Sequence, residues 1–492
     1  MMHDSKKSES SIVAMNATNN PGQTGAELPE RRGDAKGNAS TASTRRTQSR
    51  ESVSPGLARI RQQAMAQPKL RFTALLHHVS VDLLRQSYFS LKRKAAAGVD
   101  GVTWSAYGDG LEERLLDLHR RVQSGAFRAL PSRRRMIPKP DGRERPLGIA
   151  SLEDKIVQRA MVEVLNAIYE EQFLGFSYGF RPGRGQHDAL DALSYAITRT
   201  PVNFIVDADL RSFFDTVNHD WLIRFLEHRI SDRRVIRMIR KWLKAGVMED
   251  GLLVSTSAGT PQGAVISPLL ANVYLHYVFD LWANQWRTRH AQGNIIIVRY
   301  ADDIVVGIER WADAGSFLSE LHKRVSMFSL SLHPEKTRLI MFGKYAAERR
   351  ARRGLGKPET FTFLGFRHIC GKARSGAFLL HRQTRRDRMQ ITLHSIKEKL
   401  KERMHEPIAE QGRWLRAVVR GYFAYHAVPT NSKAMSAFRN DVTRLWRHVL
   451  SRRSQVGYVT WRKMFTITRI WLPPARVSHA WPNDRFAVNH LR

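Results

Sequence analysis

The chain has 492 residues, and its 80 Lys and Arg against 45 Asp and Glu give a formal net charge of +35. This length predicts more than one compact unit, and the charge predicts a polyanionic partner such as nucleic acid. A single cysteine excludes an internal disulfide framework and a cysteine-rich zinc module. A reducing cytosolic compartment fits this composition, and no signal-peptide core, lipidation motif or basic amphipathic helix indicates a membrane partner.

Residues 1–68 are rich in Ser, Thr, Gly and Asn and poor in apolar residues, so we expect a disordered leader. Up to Ile60 this segment holds nine Lys and Arg and six Asp and Glu, a surplus of only +3. The basic surplus therefore belongs to the folded part of the chain.

Residues 69–200 begin with an apolar periodicity that predicts a helix over 72–91, which turn-forming residues at 97–103 end. Residues 131–149 are typical of a β-hairpin with Asp141-Gly142 at its turn. Cations stand on both arms of this hairpin, an arrangement that suits a triphosphate, although a solvated basic hairpin remains an alternative.

A long helix is predicted from Ser151, its N-cap, to Tyr169. The aromatic and basic loop 176–184 follows, and such a loop suits base stacking and phosphate contact on single strands. Arg181 is its candidate nucleic-acid contact, whereas packing is an equal alternative for Tyr178 and Phe180.

Residues 201–370 mix strand and helix patterns, which predicts an α+β fold with an antiparallel sheet. The predicted strands are 204–208, 295–299 and 304–307. The predicted helices are 219–228, 232–245 and 268–286.

Two adjacent aspartates, Asp302 and Asp303, separate two apolar β-branched runs. Neighbouring carboxylates repel unless a cation lies between them, and Mg²⁺ prefers carboxylate oxygens while keeping positions for phosphate oxygens. Asp209, at the end of another apolar strand, would complete a site for two metal ions. A solvated Asp-Asp turn is the alternative for the pair alone.

Residues 259–272 combine a Gly-Pro turn with an apolar helix pattern. The small residues allow the backbone and the Gln262 amide to approach a flat ligand closely. No charged residue occurs from Leu252 to Phe279, but polar residues and two prolines make a membrane span too short.

These segments contain FIVDADLRSFFD, GTPQGAVISPLLAN and YADD, in that order. They resemble the reverse transcriptase domain, and most closely that of bacterial group II intron-encoded reverse transcriptase/maturase proteins of the type that lacks an endonuclease. The resemblance covers about residues 70–485. It implies a right-hand polymerase with an N-terminal extension and fingers (69–200), a palm (201–370), an all-α thumb or maturase (X) domain (371–455) and a short DNA-contacting tail (456–492).

The resemblance also assigns roles to single residues. Asp209, Asp302 and Asp303 would be the catalytic ligands of two Mg²⁺ ions. Phe214 would lie under the nucleotide sugar and exclude a ribose 2′-OH. The remaining deoxynucleotide contacts would be Arg133, Lys139, Arg145, Gln262 and Lys336. Ala264 departs from the family pattern, which usually has a second Gly there. Its methyl group would crowd the nucleotide or template, and the expected effect is reduced or altered efficiency at most, because the carboxylates are intact.

Residues 344–453 hold 26 Lys and Arg against eight Asp and Glu, a surplus of +18. Helices are predicted over 391–403, 410–426 and 436–453. In the second helix, Arg413, Arg416 and Arg420 alternate with an apolar stripe, which we expect to be core. The arginines are candidate nucleic-acid contacts, because a basic helical face suits RNA backbone shape.

The expected function is an RNA-directed DNA polymerase with maturase activity that supports intron splicing and retromobility. Its expected partners are group II intron RNA, an RNA template with a DNA primer, target DNA and deoxynucleotides, in a bacterial cytoplasm near the nucleoid. Two alternatives stay open: a maturase or RNA chaperone whose polymerase site is unused, and a related reverse transcriptase of defence or DNA repair. Cleavage of the DNA strand opposite the insertion site is not expected, since no metal-ligand cluster follows the thumb.

Overall fold

The computed structural model describes residues 55–138, 144–249, 252–254, 258–260, 263–453 and 458–485. The first part is helical: α1 (Pro55–Ala66), a 3₁₀ turn (Leu76–His78), α2 (Val81–Ser90), α3 (Trp104–Gly108) and α4 (Leu111–Ser124).

The central part mixes strands and helices. Its elements are β1 (Ser132–Pro138), β2 (Glu144–Ile149), α5 (Leu152–Tyr169), α6 (Gln186–Arg199), β3 (Phe204–Asp209), α7 (Phe213–Thr216), α8 (His219–Glu227), α9 (Arg233–Lys244), β4 (Val247–Glu249), β5 (Leu252–Val254), α10 (Ser267–Leu275), a π-helical turn (His276–Asp280), α11 (Leu281–Arg289), β6 (Ile295–Tyr300), β7 (Asp303–Ile308), α12 (Trp311–Met327) and β8 (Arg338–Met341).

The last part opens with strands and ends in helices. Its elements are α13 (Ala346–Arg352), β9 (Phe361–Phe363), β10 (Phe366–Lys372), β11 (Phe378–Thr384), α14 (Arg386–Glu402), α15 (Ile408–His426), α16 (Ser432–Ser451) and α17 (Trp461–Trp471). The chain is therefore an α+β protein, as predicted.

The central sheet has the strand order β6-β7-β3-β8, and all its neighbouring strands are antiparallel, as predicted. Its strands are apolar on both faces because helices and a second sheet cover them. One face joins the core formed with α5, α8 and α10, and the other joins a core with α6 and β9–β11.

The predicted basic hairpin is confirmed as β1 and β2, which pair from Arg133–Ile149 to Pro138–Glu144. Its predicted turn, Asp141-Gly142, lies outside the described residues. β4 adds to this sheet parallel to β1, and β5 follows antiparallel. These two strands were not predicted, since three residues are too few for a periodicity.

The predicted disordered leader over residues 1–68 is wrong from Pro55 onward, while residues 1–54 lie outside the described part. Leu57, Ile60 and Ala64 of α1 are buried in the main core. Arg61 binds Glu171 at 2.7 Å. The polar composition of the long leader conceals this short apolar face.

The helix predicted over 72–91 begins only at Val81, where the Ser80 side chain caps it by accepting from the Leu83 N–H. The preceding residues are held by a tertiary contact. The Asp232 carboxylate accepts from the backbone N–H groups of Leu75 and Leu76, at 2.8 and 3.0 Å. Apolar spacing alone does not reveal such a break.

The prediction that residues 371–455 are all helical is wrong at its start. β11 pairs with β10 over seven residues, in a sheet of order β11-β10-β9. The buried Arg382, which binds Asp191 of α6 at 2.6 Å, interrupts the apolar alternation that would have indicated this strand. From α14 onward the helices share their own core, in which Leu415, Val419 and Phe423 are buried as predicted.

Among the helices of the described ranges, none combines the length and hydropathy that crossing a bilayer requires.

Candidate active site

Acidic side chains meet at one end of the central sheet. In β3, Asp207 and Asp209 alternate with buried apolar residues, so both carboxylates lie on the same face. The register pairs Asp209 directly with Asp303 of β7. Opposed residues of an antiparallel pair project to the same side, so the sequence-distant carboxylates share one site.

The Asp302-Asp303 pair lies at a tight turn between β6 and β7, as the sequence predicts. Tyr300 pairs with Asp303 across this hairpin, which leaves Ala301 and Asp302 as the connection. Ala301 has a φ of +57°, a left-handed conformation that alanine rarely adopts. The turn is therefore strained and needs support from its surroundings.

Two cations face the two acids of β3. The Lys336 ammonium lies 2.8 Å from Oδ2 of Asp209. Arg338, which pairs with Asp207 in the register of β8, lies 3.6 Å from Oδ2 of that residue. Sequence reasoning predicted Lys336 for this site but missed Asp207 and Arg338, although their strand alternation was visible.

The carboxylates are electrostatically coupled. Surrounding protein atoms restrict hydration of the Asp303 carboxyl, although the residue as a whole is exposed. This effect and the charges of Asp302, Asp209 and Asp207 raise the pKa of Asp303 to about 7, against the opposing effect of Lys336. Burial likewise raises the pKa of Asp207 to about 6, with Arg338 opposing. A site that resists ionisation in this way is well suited to a divalent cation.

In the part of the chain that the structure describes, no three acidic, imidazole or thiol side chains converge as a ready-made metal cage. Mg²⁺ does not need such a cage, because it commonly takes one or two carboxylates and completes its shell with water and phosphate oxygens. The donor set of Asp209, Asp302 and Asp303 therefore fits Mg²⁺, whose binding would compete with Lys336 for Asp209.

The segment after β5 packs against the chain that follows β3. Gly259 has a φ of +87°, and a Cβ there would lie 2.9 Å from the Phe214 carbonyl oxygen. The Thr260 N–H donates to that same oxygen at 2.7 Å. Phe213 is buried, whereas Phe214 is half-buried beside it. These contacts hold the backbone at Phe214, and the side chain of Phe214 is partly open to solvent.

The basic hairpin approaches the same region. A Cβ on Gly263 would lie 2.7 Å from the Gly148 carbonyl oxygen of β2, so only glycine allows this approach. Arg133 is exposed on β1, and Arg145 pairs with Ile137 across the hairpin. Lys139 and Gln262 lie outside the described residues.

Residues 137–368 match the family model described as "Reverse transcriptase (RNA-dependent DNA polymerase)". The match contains all three carboxylates, the Gly-Pro segment and Lys336. This part of the chain is therefore similar to the reverse transcriptase domain. Helices α1–α4 and α14–α17 lie outside the matched residues.

Similar proteins include several that introns encode. The chain is 39% identical over 229 residues to Protein YkfC of Escherichia coli, covering 45% of this chain and 60% of that protein. It is 34% identical over 207 residues to group II intron-encoded protein LtrA of Lactococcus lactis, covering 42% and 34%. A putative COX1/OXI3 intron 1 protein of Saccharomyces cerevisiae is 27% identical over 426 residues, covering 72% and 50%. The chain thus spans less than two thirds of each of these relatives.

Ala264, within the matched residues, is buried. Its methyl group lines a small internal cavity with Asp154, Gln158 and Trp242. This burial argues against the expected crowding of a nucleotide or template, because the side chain packs into the protein interior.

The prediction that Arg181 contacts nucleic acid is wrong. Its side chain is fully buried, binds Glu170 at 3.0 Å and donates to the Leu174 and Ser177 carbonyl oxygens. Burial lowers the pKa of Arg181 to about 10, which still leaves it charged at neutral pH. Tyr178 is buried too, whereas Phe180 is exposed.

The three arginines of α15 have different surroundings. Arg413 and Arg420 are exposed, and Arg413 pairs with Glu410. Arg416 donates to the Ile470 and Trp471 carbonyl oxygens and lies over the Trp471 ring at 5.2 Å. Arg416 therefore joins α15 to the end of α17, which leaves Arg413 and Arg420 as the accessible candidates for a phosphate contact.

The raised pKa of Asp303 predicts a pH dependence of metal binding. If Asp303 is a metal ligand of a polymerase, only its ionised carboxylate would bind Mg²⁺, so at low Mg²⁺ the rate of primer extension should rise from about pH 6 to about pH 8. The midpoint should fall as Mg²⁺ increases, because the metal competes with the proton. Extension rates over a pH series at two Mg²⁺ concentrations measure both effects. A midpoint independent of Mg²⁺ would contradict this assignment and favour ionisation of another group.

The same shift predicts an opposite effect on the metal-free protein. In the folded protein Asp303 keeps its proton up to about pH 7, whereas in the unfolded chain the carboxyl has its ordinary pKa of 3.8. The free energy of unfolding should therefore fall as the pH rises from about 4 to about 7. Asp303→Asn should remove this part of the dependence and raise the Tm near neutral pH without Mg²⁺. Thermal unfolding of both proteins in a chelator over that pH range provides the measurement, and parallel curves would contradict it.

Proposed function

We propose that the chain is an RNA-directed DNA polymerase that also acts as a maturase for a group II intron. The observation that carries this proposal is the register of Asp209 against Asp303, next to Asp302. This register brings the carboxylate of the acidic strand next to those of the acidic turn, so that all three could bind the same pair of metal ions. The matched reverse transcriptase domain and the intron-encoded relatives support the same function.

In this proposal, Asp209, Asp302 and Asp303 would hold two Mg²⁺ ions. The bound metal would lower the pKa of the primer 3′-OH and stabilise charge on the transferred phosphoryl group. Lys336, already at Asp209, would hold a positive charge close to the leaving pyrophosphate. The strained turn at Ala301 would hold its two acids in fixed directions, which limits reorganisation during the reaction.

The right-hand architecture is also part of the proposal. The β1–β2 hairpin would belong to the fingers, with Arg133, Lys139 and Arg145 on the triphosphate. The central sheet would be the palm, and α14–α16 would belong to the thumb or maturase domain. Gln262 would contact the nucleotide or its template partner. The contact of Gly263 with Gly148 would couple the Gly-Pro segment to the fingers.

Splicing support would use the basic helices. Exposed cations such as Arg413 and Arg420 would bind the phosphates of the intron RNA, and residues 458–485 would contact target DNA. RNA helices are recognised mainly through backbone and shape, so a charged helical surface is appropriate for this task.

The direct test combines two assays on the purified chain. The first is extension of a DNA primer on an RNA template with deoxynucleotides and Mg²⁺. The second is protein-dependent splicing of a precursor that contains the group II intron flanking the gene. Extension without splicing would favour an enzyme of defence or DNA repair, and splicing without extension would favour an RNA chaperone.

Sugar selection provides a separate prediction. Phe214 is half-buried, so its ring can both pack on the core and face a sugar. Phe214→Val should remove the steric block to the 2′-OH and raise the ratio of ribonucleotide to deoxynucleotide incorporation. A pocket that differs by about one methylene group changes discrimination by roughly tenfold or more, so we expect a change of at least that size. Steady-state kcat/KM for both nucleotide types gives this ratio.

The matched control is Phe213→Val, one residue earlier in the buried position. It should lower stability by cavity formation while leaving the sugar ratio unchanged. An unchanged ratio in Phe214→Val as well would indicate that Phe214 serves the core alone.

A further inference from the structure

A buried arginine lies directly behind the acidic turn. Arg299 is 0% exposed, and each of its five guanidinium N–H groups has an acceptor. Nε and Nη2 donate to the two Asp280 carboxylate oxygens at 2.7 and 2.6 Å. Nη1 donates to Asn272 Oδ1 at 3.1 Å, and Nη2 also donates to Ser177 Oγ at 2.7 Å. The remaining bond, from Nη1, goes to the Ala301 carbonyl oxygen at 3.0 Å.

The last of these bonds reaches the strained residue of the acidic turn. Ala301 precedes Asp302 and has the left-handed backbone conformation. Its carbonyl belongs to the peptide unit that leads into Asp302. A hydrogen bond to that oxygen therefore restrains the rotation that sets where Asp302 and Asp303 point.

The backbone around Gly179 supports the same turn from the other side. The Tyr178 N–H donates to the Arg299 carbonyl oxygen, and the Arg299 N–H donates to the Phe176 carbonyl oxygen, both at 2.9 Å. A Cβ on Gly179 would lie 2.3 Å from the Ala301 nitrogen, so this segment presses on the turn. Asn272 donates to the Gly179 carbonyl oxygen at 2.7 Å and thereby joins both supports.

Asp280 is delivered by the π-helical turn between α10 and α11. Such widened turns are rare and occur often at functional sites. Burial lowers the pKa of the neighbouring His276 to about 4, so that imidazole is neutral. Arg299, in a bidentate contact, is thus the cation that balances the buried Asp280 carboxylate.

Stability alone gives a weak reason for this arrangement. Burying an ion pair carries a large desolvation cost, and well-packed apolar residues often stabilise a protein as much or more. What an apolar side chain cannot supply is a directed donor to the Ala301 carbonyl. The pair therefore provides fixed geometry at a turn whose conformation alanine does not favour.

We propose that Arg299, oriented by Asp280, is a positioning residue that fixes the Ala301 turn and thereby the metal-binding directions of Asp302 and Asp303. This inference rests on the proposed polymerase function. It assigns to Arg299 no contact with substrate, and its effect passes through the backbone of the turn.

The test compares wild type with Arg299→Lys and Asp280→Asn. Both substitutions keep a polar side chain. Arg299→Lys loses the forked guanidinium donor, and Asp280→Asn loses the charged acceptor. We expect each to raise the Mg²⁺ concentration for half-maximal extension by roughly tenfold to a hundredfold, as second-shell changes at metal sites do. The KM for template–primer and the affinity for intron RNA should stay unchanged. Metal binding without turnover, followed by Mn²⁺ electron paramagnetic resonance and by the Mg²⁺ dependence of the Tm, should weaken equally.

Arg382→Lys is the matched control, since Arg382 is equally buried and binds Asp191 at 2.6 Å in another core. It should lower the Tm by a comparable amount and leave the Mg²⁺ dependence at the wild-type value. If Arg299→Lys fails to fold, Ser177→Ala, which removes one acceptor, should raise the Mg²⁺ requirement a few-fold.

Wild-type metal binding in folded Arg299→Lys and Asp280→Asn would overturn the positioning role, as would an unchanged requirement in Ser177→Ala. An equal Mg²⁺ shift in Arg382→Lys would overturn it too, since general loosening of the fold would then suffice. Failure of the proposed function looks different: the wild-type protein itself would not extend primers at any Mg²⁺ concentration.

Discussion

Asp302→Asn is expected to abolish primer extension on an RNA template and to leave intron RNA binding unchanged. The acids lie at one end of the central sheet, while the basic surplus of +18 lies in residues 344–453. Asparagine keeps the size of the side chain but removes a charge that the metal pair needs. Loss of a single transition-state contact costs on the order of 10²- to 10³-fold in rate, and a direct metal ligand should cost at least that.

Single-turnover extension with saturating template–primer measures this loss, and filter binding of the intron RNA measures the retained function. Asp313→Asn is a matched control because Asp313 is a buried aspartate away from the acidic turn, where it accepts from the backbone N–H groups of Gln292 and Gly293. It should keep extension while lowering stability. A wild-type extension rate for Asp302→Asn would refute the metal assignment.

The sequence predicted the acidic site well because its information is local. An apolar run before Asp209 and two apolar runs around Asp302 and Asp303 indicate strands that end at carboxylates, and antiparallel pairing brings such ends together. The basic hairpin and the capped helix from Ser151 were predicted for the same reason: each is specified by turn or cap residues within a few positions.

Features that depend on tertiary contacts were not predicted. Arg181 belongs to an aromatic and basic loop that is typical of a nucleic-acid contact, yet Glu170, on the preceding helix end, fixes it in the interior. The pattern around Arg299 predicts only a strand, and nothing near it in sequence reveals that Asp280 and Asn272 complete its hydrogen bonds. Composition also concealed α1, whose few apolar residues gain stability only by packing on α5.

Intron RNA affinity is expected to fall steeply with salt. Lys and Arg that neutralise phosphates release counterions, and log K should fall linearly with log salt, with a slope of about −0.7 to −0.9 per contact. Roughly six contacts would then lower affinity on the order of 10³-fold between about 50 and 200 mM salt. The exposed cations of α14 and α15 make such a number plausible, among them Arg386, Arg388, Lys397, Lys401, Arg413 and Arg420.

Single substitutions can locate this charge on α15. Arg420→Gln should lower the magnitude of the slope of log K against log salt by about the contribution of one phosphate contact, because Arg420 is exposed to solvent. Arg416→Gln, one helical turn earlier, should instead lower the Tm and leave the slope unchanged, since Arg416 is engaged with Trp471 and the Ile470 carbonyl oxygen. Equilibrium binding over a salt series, with thermal unfolding of each variant, separates the two effects. A flat salt response of the wild-type protein would refute the electrostatic account and would indicate recognition through base-specific contacts.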